Sequence, residues 1–232
     1  MKKKIKNIIQ KFGYNLEKIH SGKHPVLSRK IDLVLDVGAN TGGFAKELRD
    51  LGYKDHIVSF EPVKQSHKKL EENSKFDKKW LVHKRCAIGN KNKKISINLS
   101  KNSSISSILS FNKSKYIDKK KLSYNSKEIT TQIKLDSCFS KYSNNKKNIF
   151  LKIDVQGYED KVLKGFTQFL KKIDMVQIEL SNHEIYKNQK LSSYFFNFFY
   201  KRKFVLSSVT PVFFDKKGIN LLQFDAIFTK FK

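Results

Sequence analysis

Residues 33–62 read LVLDVGANTGGFAKELRDLGYKDHIVSFEP, and no other stretch says as much about the architecture of the chain. The apolar run over 33–37 predicts a buried strand, and the small residues after it predict a tight loop. Apolar residues at helical spacing predict a helix over 42–51, and a second apolar run predicts a strand over 57–61 that ends on Glu61. This order of elements is typical of the first half of a nucleotide-type cofactor site in an α/β sheet.

The loop distinguishes between two classes of cofactor. Gly42 and Glu61 are 19 residues apart, close to the spacing that places an acid on a ribose. A dinucleotide site would have a glycine where this loop has Ala39 and Asn40, and the carboxylate of Asp36 would repel a pyrophosphate. S-adenosylmethionine carries an ammonium and a sulfonium but no phosphate. The loop therefore favours S-adenosylmethionine over a dinucleotide.

Several sequence blocks follow one another along the chain. They are DVGANTGGF (36–44), VSFEP (58–62), SSISSIL (103–109), ITTQIKLDSCF (129–139), FLKIDVQGYEDKVLKGF (150–166), VQIELS (176–181) and LLQFDAIF (221–228). In this order they resemble the FkbM-type methyltransferases, which use S-adenosylmethionine to methylate hydroxyl oxygens, and the resemblance covers most of the chain. It implies a Rossmann-like class I methyltransferase fold, an α/β fold with helices on both faces of a mostly parallel seven-stranded sheet whose last strand is antiparallel.

The rest of the periodic pattern predicts the remaining elements of this sheet. An aromatic stripe over 191–199 is interpreted as core packing rather than a cofactor-stacking surface. A turn over 215–218 joins the last two strands as a hairpin, which would make the last strand antiparallel. The other predicted helices cover 63–74, 136–143 and 159–170, and the other predicted strands cover 80–87, 149–153, 175–180, 204–208 and 222–229.

Residues 31–232 are predicted to form a single methyltransferase domain, interrupted by a polar insertion at about 90–130 that we interpret as a lid over the substrate. Residues 1–30 are basic and predict a helical extension that packs on the domain, although peripheral membrane contact stays open. No run approaches the ~18 apolar residues of a membrane span, and the two cysteines form no metal or disulfide pattern. A cytoplasmic location is expected.

The net charge of +27 bears on the partner. Such an excess is the electrostatic signature of a nucleic-acid binder. Only four of the 48 basic residues are arginine, however, and arginine is preferred for bidentate phosphate and base recognition. A solvated lysine-rich surface is therefore favoured, and the expected acceptor is a small molecule or a glycan, with nucleic acid possible but not favoured. The oligomeric state stays open.

Acids at the ends of predicted strands locate the site, because ligands of open α/β sheets bind outside the carboxyl ends of the strands. Glu61 is expected to hold the ribose, and Asp36 to orient the loop or reach the methionine ammonium through water. Glycines at the loop allow close approach of the main chain to the ligand. The predicted cofactor-binding residues are Asp36, Gly38, Asn40, Gly42, Glu61, Pro62 and Ala87.

Methyl transfer to oxygen needs a base for the hydroxyl proton. Asp154, after the fourth predicted strand of the sheet, is predicted as the base or substrate orienter, and His183 is the alternative base. The predicted substrate-binding residues are Ser103, Ser104, Gln156, Tyr158 and Glu179, and no required metal is expected. Two alternatives to a small-molecule O-methyltransferase stay open: an RNA methyltransferase with the same cofactor site, and a non-catalytic cofactor-binding module.

Overall fold

The computed structural model describes residue 11, residues 24–112 and residues 123–230. Ten strands lie in these ranges. They are β1 (Leu33–Val37), β2 (His56–Phe60), β3 (Trp80–Val82), β4 (Ala87–Ile88), β5 (Lys93–Leu99), β6 (Ser126–Ile133), β7 (Ile149–Ile153), β8 (Ile173–Ser181), β9 (Phe204–Phe214) and β10 (Leu221–Lys230). The helices are α1 (Pro25–Ser28), α2 (Gly43–Asp50), α3 (Lys64–Ser74), α4 (Phe139–Ser143), α5 (Glu159–Lys164) and α6 (Ser192–Tyr200).

Seven strands form the central sheet in the order β3-β2-β1-β7-β8-β10-β9. The pairs from β3 to β8 are parallel, whereas β10 is antiparallel to both β8 and β9. The expected fold class, with its antiparallel last strand, is confirmed. The strand order reverses between β1 and β7, so the carboxyl ends of these two strands open a crevice at the position where α/β sheets bind ligands.

Both faces of the sheet are covered by apolar side chains from helices, as predicted. On one face, α6 and α5 pack against the strands, and Phe199 stacks on Phe228 of β10 with ring centroids 4.4 Å apart. On the other face, Ala45, Leu48 and Leu70 from α2 and α3 are fully buried against the first strands. The aromatic stripe of α6 therefore belongs to the core, as the sequence interpretation had it.

Three predicted boundaries are wrong. The predicted strand 80–87 ends at Val82, and Ala87 begins β4 in a separate three-stranded sheet of order β4-β6-β5. Between them, Arg85 donates to the Pro62 carbonyl and to Glu128 of β6. The described part of the polar insertion therefore contains strand pairing, between β5 and β6, rather than loop alone.

The other two errors concern lengths. Helix α5 ends at Lys164 instead of residue 170, because Gly165 follows and lies so close to Gly89 that a Cβ would be 1.9 Å from its carbonyl oxygen. Strand β9 continues to Phe214 instead of residue 208. Most of its side chains are exposed at the sheet edge, so its far end shows no alternating pattern.

Of the predicted N-terminal extension, only Lys11 and residues 24–30 are described, and the rest lies outside the described residues. Within that part, Val26 of α1 is fully buried in the core. Among the described residues, no helix is both long and apolar enough to cross a membrane.

Candidate active site

A cleft opens at the carboxyl ends of β1, β2 and β7, beneath residues 103–108 of the insertion. Nine of the residues predicted from sequence line it. They are Gly38, Asn40, Glu61, Pro62, Ala87, Ser103, Ser104, Asp154 and Gln156. The structure therefore brings the end of the first motif, the second motif and the block around Asp154 together on one set of walls.

Glu61 is held by the two loops that flank it. Its Oε2 accepts the backbone N–H of Asn40 at 2.8 Å, and its Oε1 accepts the N–H of Val63 at 2.9 Å. Each oxygen keeps a further lone pair, so the carboxylate can accept two neighbouring hydroxyls of a ribose. Burial raises the pKa of Glu61 to about 7, against the opposing effect of these two hydrogen bonds.

Gly38 lets the first loop pass against the chain that follows β7. Its φ is +84°, and a Cβ there would lie 1.8 Å from the carbonyl oxygen of Asp154. Only glycine fits this close approach. Gly38 also lines the cleft, and the position of Asp154 depends on the absence of a side chain here.

Gly42 has a different role from Gly38. It also has a positive φ, but a Cβ there would meet the ring of Trp80 at 2.6 Å and Leu70 at 2.8 Å. It is not among the residues that line the cleft. Glycine is needed at position 42 because the loop packs closely on β3 and α3. Contact of Gly42 with the cofactor stays a prediction.

Asp36 lies beneath the cleft and is completely buried. Its Oδ2 accepts the hydroxyl of Ser59 at 3.3 Å, and its Oδ1 lies 3.6 Å from the ammonium of Lys152. Burial raises the pKa of Asp36, and the charge of Lys152 opposes that effect. Asp36 does not line the cleft. Its charge is paired with Lys152 instead, and its predicted role toward the loop or the methionine ammonium stays a prediction.

Lys152 was missed in the sequence analysis. It is buried, its Nζ lies 3.2 Å from Oδ2 of Asp154, and it also lies 5.4 Å above the ring of Phe44. Burial alone would lower its pKa, but the carboxylates of Asp154 and Asp36 outweigh burial and raise the pKa of Lys152 above its ordinary value. The ammonium therefore remains protonated at neutral pH.

The side chain of Asp154 is 33% exposed, and its contacts hold the carboxylate in one orientation. Besides the Lys152 contact, its Oδ1 accepts Nε2 of Gln156 at 2.8 Å. The same Nε2 donates to Glu179 at 2.9 Å, and Oε1 of Gln156 accepts the hydroxyl of Tyr186 at 2.6 Å. Gln156 thus ties two carboxylates together. Burial, with the nearby charge of Asp154, raises the pKa of Glu179 well above its ordinary value.

The loop after β7 is fixed by a second residue that the sequence analysis missed. Glu159 is buried, and its Oε1 accepts the N–H groups of Val155 and Gly157 at 3.2 Å and 3.0 Å. Burial raises the pKa of Glu159 to about 7, against the opposing effect of its backbone hydrogen bonds. The acid two residues after a glycine was the available signal, since such acids cap turns and helix starts.

The insertion is tied across the cleft at two points. The hydroxyl of Ser103 donates to Oδ1 of Asn40 at 3.1 Å, and the hydroxyl of Ser107 donates to the Gln156 carbonyl at 2.6 Å. Segment 103–107 therefore connects the cofactor loop with the loop that follows Asp154, which fits the predicted lid.

Besides Asp36 and Gly42, three more predicted site residues lie off the cleft walls. Tyr158 is buried, and its hydroxyl donates to Gln132 of β6 at 3.2 Å. His183 is exposed in the loop after β8. Glu179 reaches the site only through Gln156. The burial of Tyr158 and its bond to β6 indicate that it has a structural role between the two sheets.

The charge of the cleft is opposite to that of the chain. The net charge is +27, yet the described residues that line the cleft include no Lys, Arg or His, and two of them are acids, Glu61 and Asp154. Such walls favour a cation over a phosphate. Among the described residues, no three His, Cys, Asp or Glu side chains form a group that could hold a metal ion.

Known proteins resemble this chain in fold more than in sequence. No curated protein matches the chain. Among solved structures it is similar to the fibrillarin/Nop5p complex (14% identity over 97% of this chain and 79% of that chain, TM-score 0.47). It is also similar to a precorrin-6y C5,15-methyltransferase from Geobacter metallireducens (8% identity over 85% of this chain and 80% of that chain, TM-score 0.45). A third similar structure is M. capricolum TrmK in complex with S-adenosyl-homocysteine (9% identity over 86% of this chain and 62% of that chain, TM-score 0.45).

The family assignment rests on a match that spans both halves of the cleft. The model of the Methyltransferase FkbM domain matches residues 36–225, from the buried acid of β1 to the antiparallel last strand. This range includes Glu61, Asp154 and the whole insertion. The chain therefore belongs to the FkbM methyltransferase family and is an S-adenosylmethionine-dependent methyltransferase.

Proposed function

We propose that the protein transfers the methyl group of S-adenosylmethionine to a hydroxyl oxygen of an acceptor whose reacting part is uncharged, such as a small molecule or a sugar of a glycan. The observation that supports this most is the carboxylate of Asp154, which is partly exposed in the cleft and fixed at both oxygens by Lys152 and Gln156. A carboxylate so fixed is suited to receive a hydroxyl proton.

The cleft fits the cofactor in shape and in charge. Glu61 would hold the two ribose hydroxyls, and the backbone at Gly38 would lie against the cofactor chain. Pro62 and Ala87, on the apolar part of the wall, would pack against adenine. The bound cofactor supplies an electrophilic methyl group on a positively charged sulfur. Acidic walls without a lysine or arginine favour that charge.

Asp154 would act on the acceptor. As the new bond between oxygen and the methyl carbon forms, the hydroxyl proton passes to a carboxylate oxygen of Asp154. General-base assistance of this kind contributes about 10²–10⁴-fold to a rate. Lys152 and Gln156 hold the carboxylate in one orientation, so the proton acceptor is in place before the acceptor molecule binds.

An uncharged reacting part is favoured by the electrostatics around Asp154. Glu179 and Asp225 lie close enough for the charge of Asp154 to raise the pKa of each, after the larger effect of burial. A phosphate placed beside this cluster would be repelled, whereas hydroxyl groups can donate to its oxygens.

The experiment is a transfer assay with tritiated S-adenosylmethionine and a panel of methyl glycosides and small alcohols. Asp154→Asn keeps the size of the side chain and is the matched control. We expect labelled methyl ether with the wild-type protein and a loss of about a hundredfold or more in the variant. Cofactor binding without transfer to any panel member, in conditions that give RNA methylation, would reject the proposal.

RNA methylation is the second candidate, and the observation that favours it is the net charge of +27. A substrate RNA would bind with a steep salt dependence, because phosphate contacts release counterions. If RNA affinity changes little with salt concentration and the methyl group is transferred to a sugar hydroxyl, the positive charge belongs to the protein surface and has no role in substrate binding. A protein that binds the cofactor but methylates neither class would be the third candidate, a binding module.

A further inference from the structure

A second groove opens beside the cofactor cleft, between the start of α3 and the end of β5. Its volume is about 700 Å³, within the ~300–1,000 Å³ of small-molecule sites. It shares Val63, Ser103 and Ser106 with the cleft, so the two adjoin at these residues.

The groove differs from the cleft in charge. Lys64, Lys68 and Lys101 line it and make no ion pair with any described residue. Its two acids are already neutralised, since Glu72 pairs with Lys69 at 3.0 Å and Glu128 pairs with Arg85. Three lysine charges are therefore available to a ligand.

Lysines are abundant on this chain, so charge alone does not make a site. The start of α3 adds a second feature. Its N-cap residue, Val63, provides no side-chain hydrogen bond, and the first turn contains no acid. The backbone N–H of Lys64 donates to Glu128 at 2.9 Å, whereas the N–H groups of Gln65 and Ser66 have no acceptor among the described residues. These free donors, with the positive end of the helix dipole, favour an anion.

The side chain of Ser66 adds an independent observation. The residue is only 3% exposed and lines the groove. Its hydroxyl has no hydrogen-bond partner among the described residues. A ligand oxygen in the groove would satisfy it, together with the two free backbone donors.

We propose that this groove binds a phosphate group that belongs to the methyl acceptor. Three lysines, two free N–H groups and the Ser66 hydroxyl form a donor set that suits a phosphate, since the two acids of the groove are held by Lys69 and Arg85. The inference rests on the proposed function in one respect, that the acceptor presents its hydroxyl to Asp154. One ligand would then span segment 103–106, with its phosphate in the groove and its hydroxyl-bearing part in the acidic cleft. A diphosphate-linked sugar has this division of charge.

The test is calorimetric titration of the full chain with pyrophosphate, UDP and UDP-glucose, with and without S-adenosylhomocysteine. We expect all three probes to bind. The pair Lys64→Gln/Lys68→Gln should weaken binding by about tenfold or more, since it removes two charge-assisted contacts. Ser66→Ala should weaken it by a smaller factor. The matched control is Lys216→Gln/Lys217→Gln in the exposed β9–β10 turn, which removes the same charge and should change nothing.

The outcomes separate the two proposals. If S-adenosylhomocysteine binds and no phosphate probe does, the groove proposal is wrong and the cofactor site stands. If the probes bind but S-adenosylhomocysteine does not, the groove stands and the proposed function fails. Equal weakening by the control pair would mean nonspecific attraction and would overturn the inference. Tight binding of single-stranded RNA that the groove pair abolishes, with no binding of UDP, would assign the groove to RNA instead.

Discussion

The ammonium of Lys152 lies 3.2 Å from Oδ2 of Asp154, and on its other side 3.6 Å from Oδ1 of Asp36. Among the described residues of this lysine-rich chain, Lys152 is the only lysine that is buried. One cation thus joins the acid beneath the cofactor loop to the acid in the cleft. The arrangement links β1 with β7 at the ends that face the cleft.

The contacts among Lys152, Asp154 and Asp36 predict that a single variant is less stable than a double variant. Lys152→Met leaves the buried carboxylate of Asp36 without its cation, and breaking a buried pair on one side costs about 3–5 kcal/mol. Lys152→Met/Asp36→Asn removes both charges and should recover a large part of that loss. Urea unfolding measures both. If the single and double variants are equally unstable, the two residues do not form a coupled pair.

Gly38→Ala tests the close approach beneath the cleft. Its Cβ would lie 1.8 Å from the carbonyl oxygen of Asp154, so we expect a fall in the free energy of unfolding of more than about 2 kcal/mol and weaker cofactor binding. Gly43→Ala is the matched control, because no atom lies within 4 Å of the added Cβ. In the helix it should stabilise by up to about 1 kcal/mol. Similar losses for both variants would contradict this account of the loop.

The pH dependence of stability follows from two buried acids. Burial raises the pKa of Glu61 and of Glu159 from an ordinary 4.5 to about 7. The folded protein therefore keeps protons that the unfolded chain releases, and the free energy of unfolding should fall as pH rises from about 4.5 to about 7. The slope is at most ~1.4 kcal/mol per pH unit for each group. Denaturation across this range, with Glu61→Gln and Glu159→Gln, should show a flatter slope in each variant.

Cofactor affinity should change in the opposite direction. Ionised Glu61 accepts hydrogen bonds at both oxygens, whereas its protonated form has lost acceptor capacity. The affinity for S-adenosylhomocysteine should therefore rise with pH and level off above about 7, the pKa of Glu61 in the free protein. An affinity that is flat over this range would mean that Glu61 does not hold the ribose.

Tyr158→Phe separates structure from binding. Its hydroxyl donates to Gln132, so its removal should cost about 1 kcal/mol of unfolding free energy and leave the affinity for S-adenosylhomocysteine unchanged. A large loss of transfer activity at unchanged stability would restore the substrate-binding role predicted from sequence.

The sequence predicted the central sheet well because its signals are local. The first loop, Glu61 and the apolar strands each follow from short patterns, and the structure brings Asp154 and Gln156 to the same cleft. Lys152 could not be recognised as easily in a chain with many lysines. Its partner Asp36 is far from it along the chain and becomes its neighbour only when β1 pairs with β7. Arg85 and Glu128, which bond to each other near the step from Val82 to β4, are likewise far apart along the chain.

The groove beside α3 was also beyond the sequence. Its lysines are indistinguishable there from the other surface lysines, and the unpartnered hydroxyl of Ser66 is visible only once α3 is placed against the insertion. Periodicity identifies a helix but does not show whether the donors at its start find an acceptor. Features of this kind arise from tertiary contacts.

The central claim is that the cleft binds the cofactor through Glu61 and acts on the acceptor through Asp154. Calorimetric titration with S-adenosylhomocysteine of the wild-type protein, Glu61→Ala and Asp154→Asn tests it most directly. The account predicts binding by the wild type, loss of binding in Glu61→Ala, and binding retained in Asp154→Asn. No binding by the wild type, or full binding by Glu61→Ala, would contradict it.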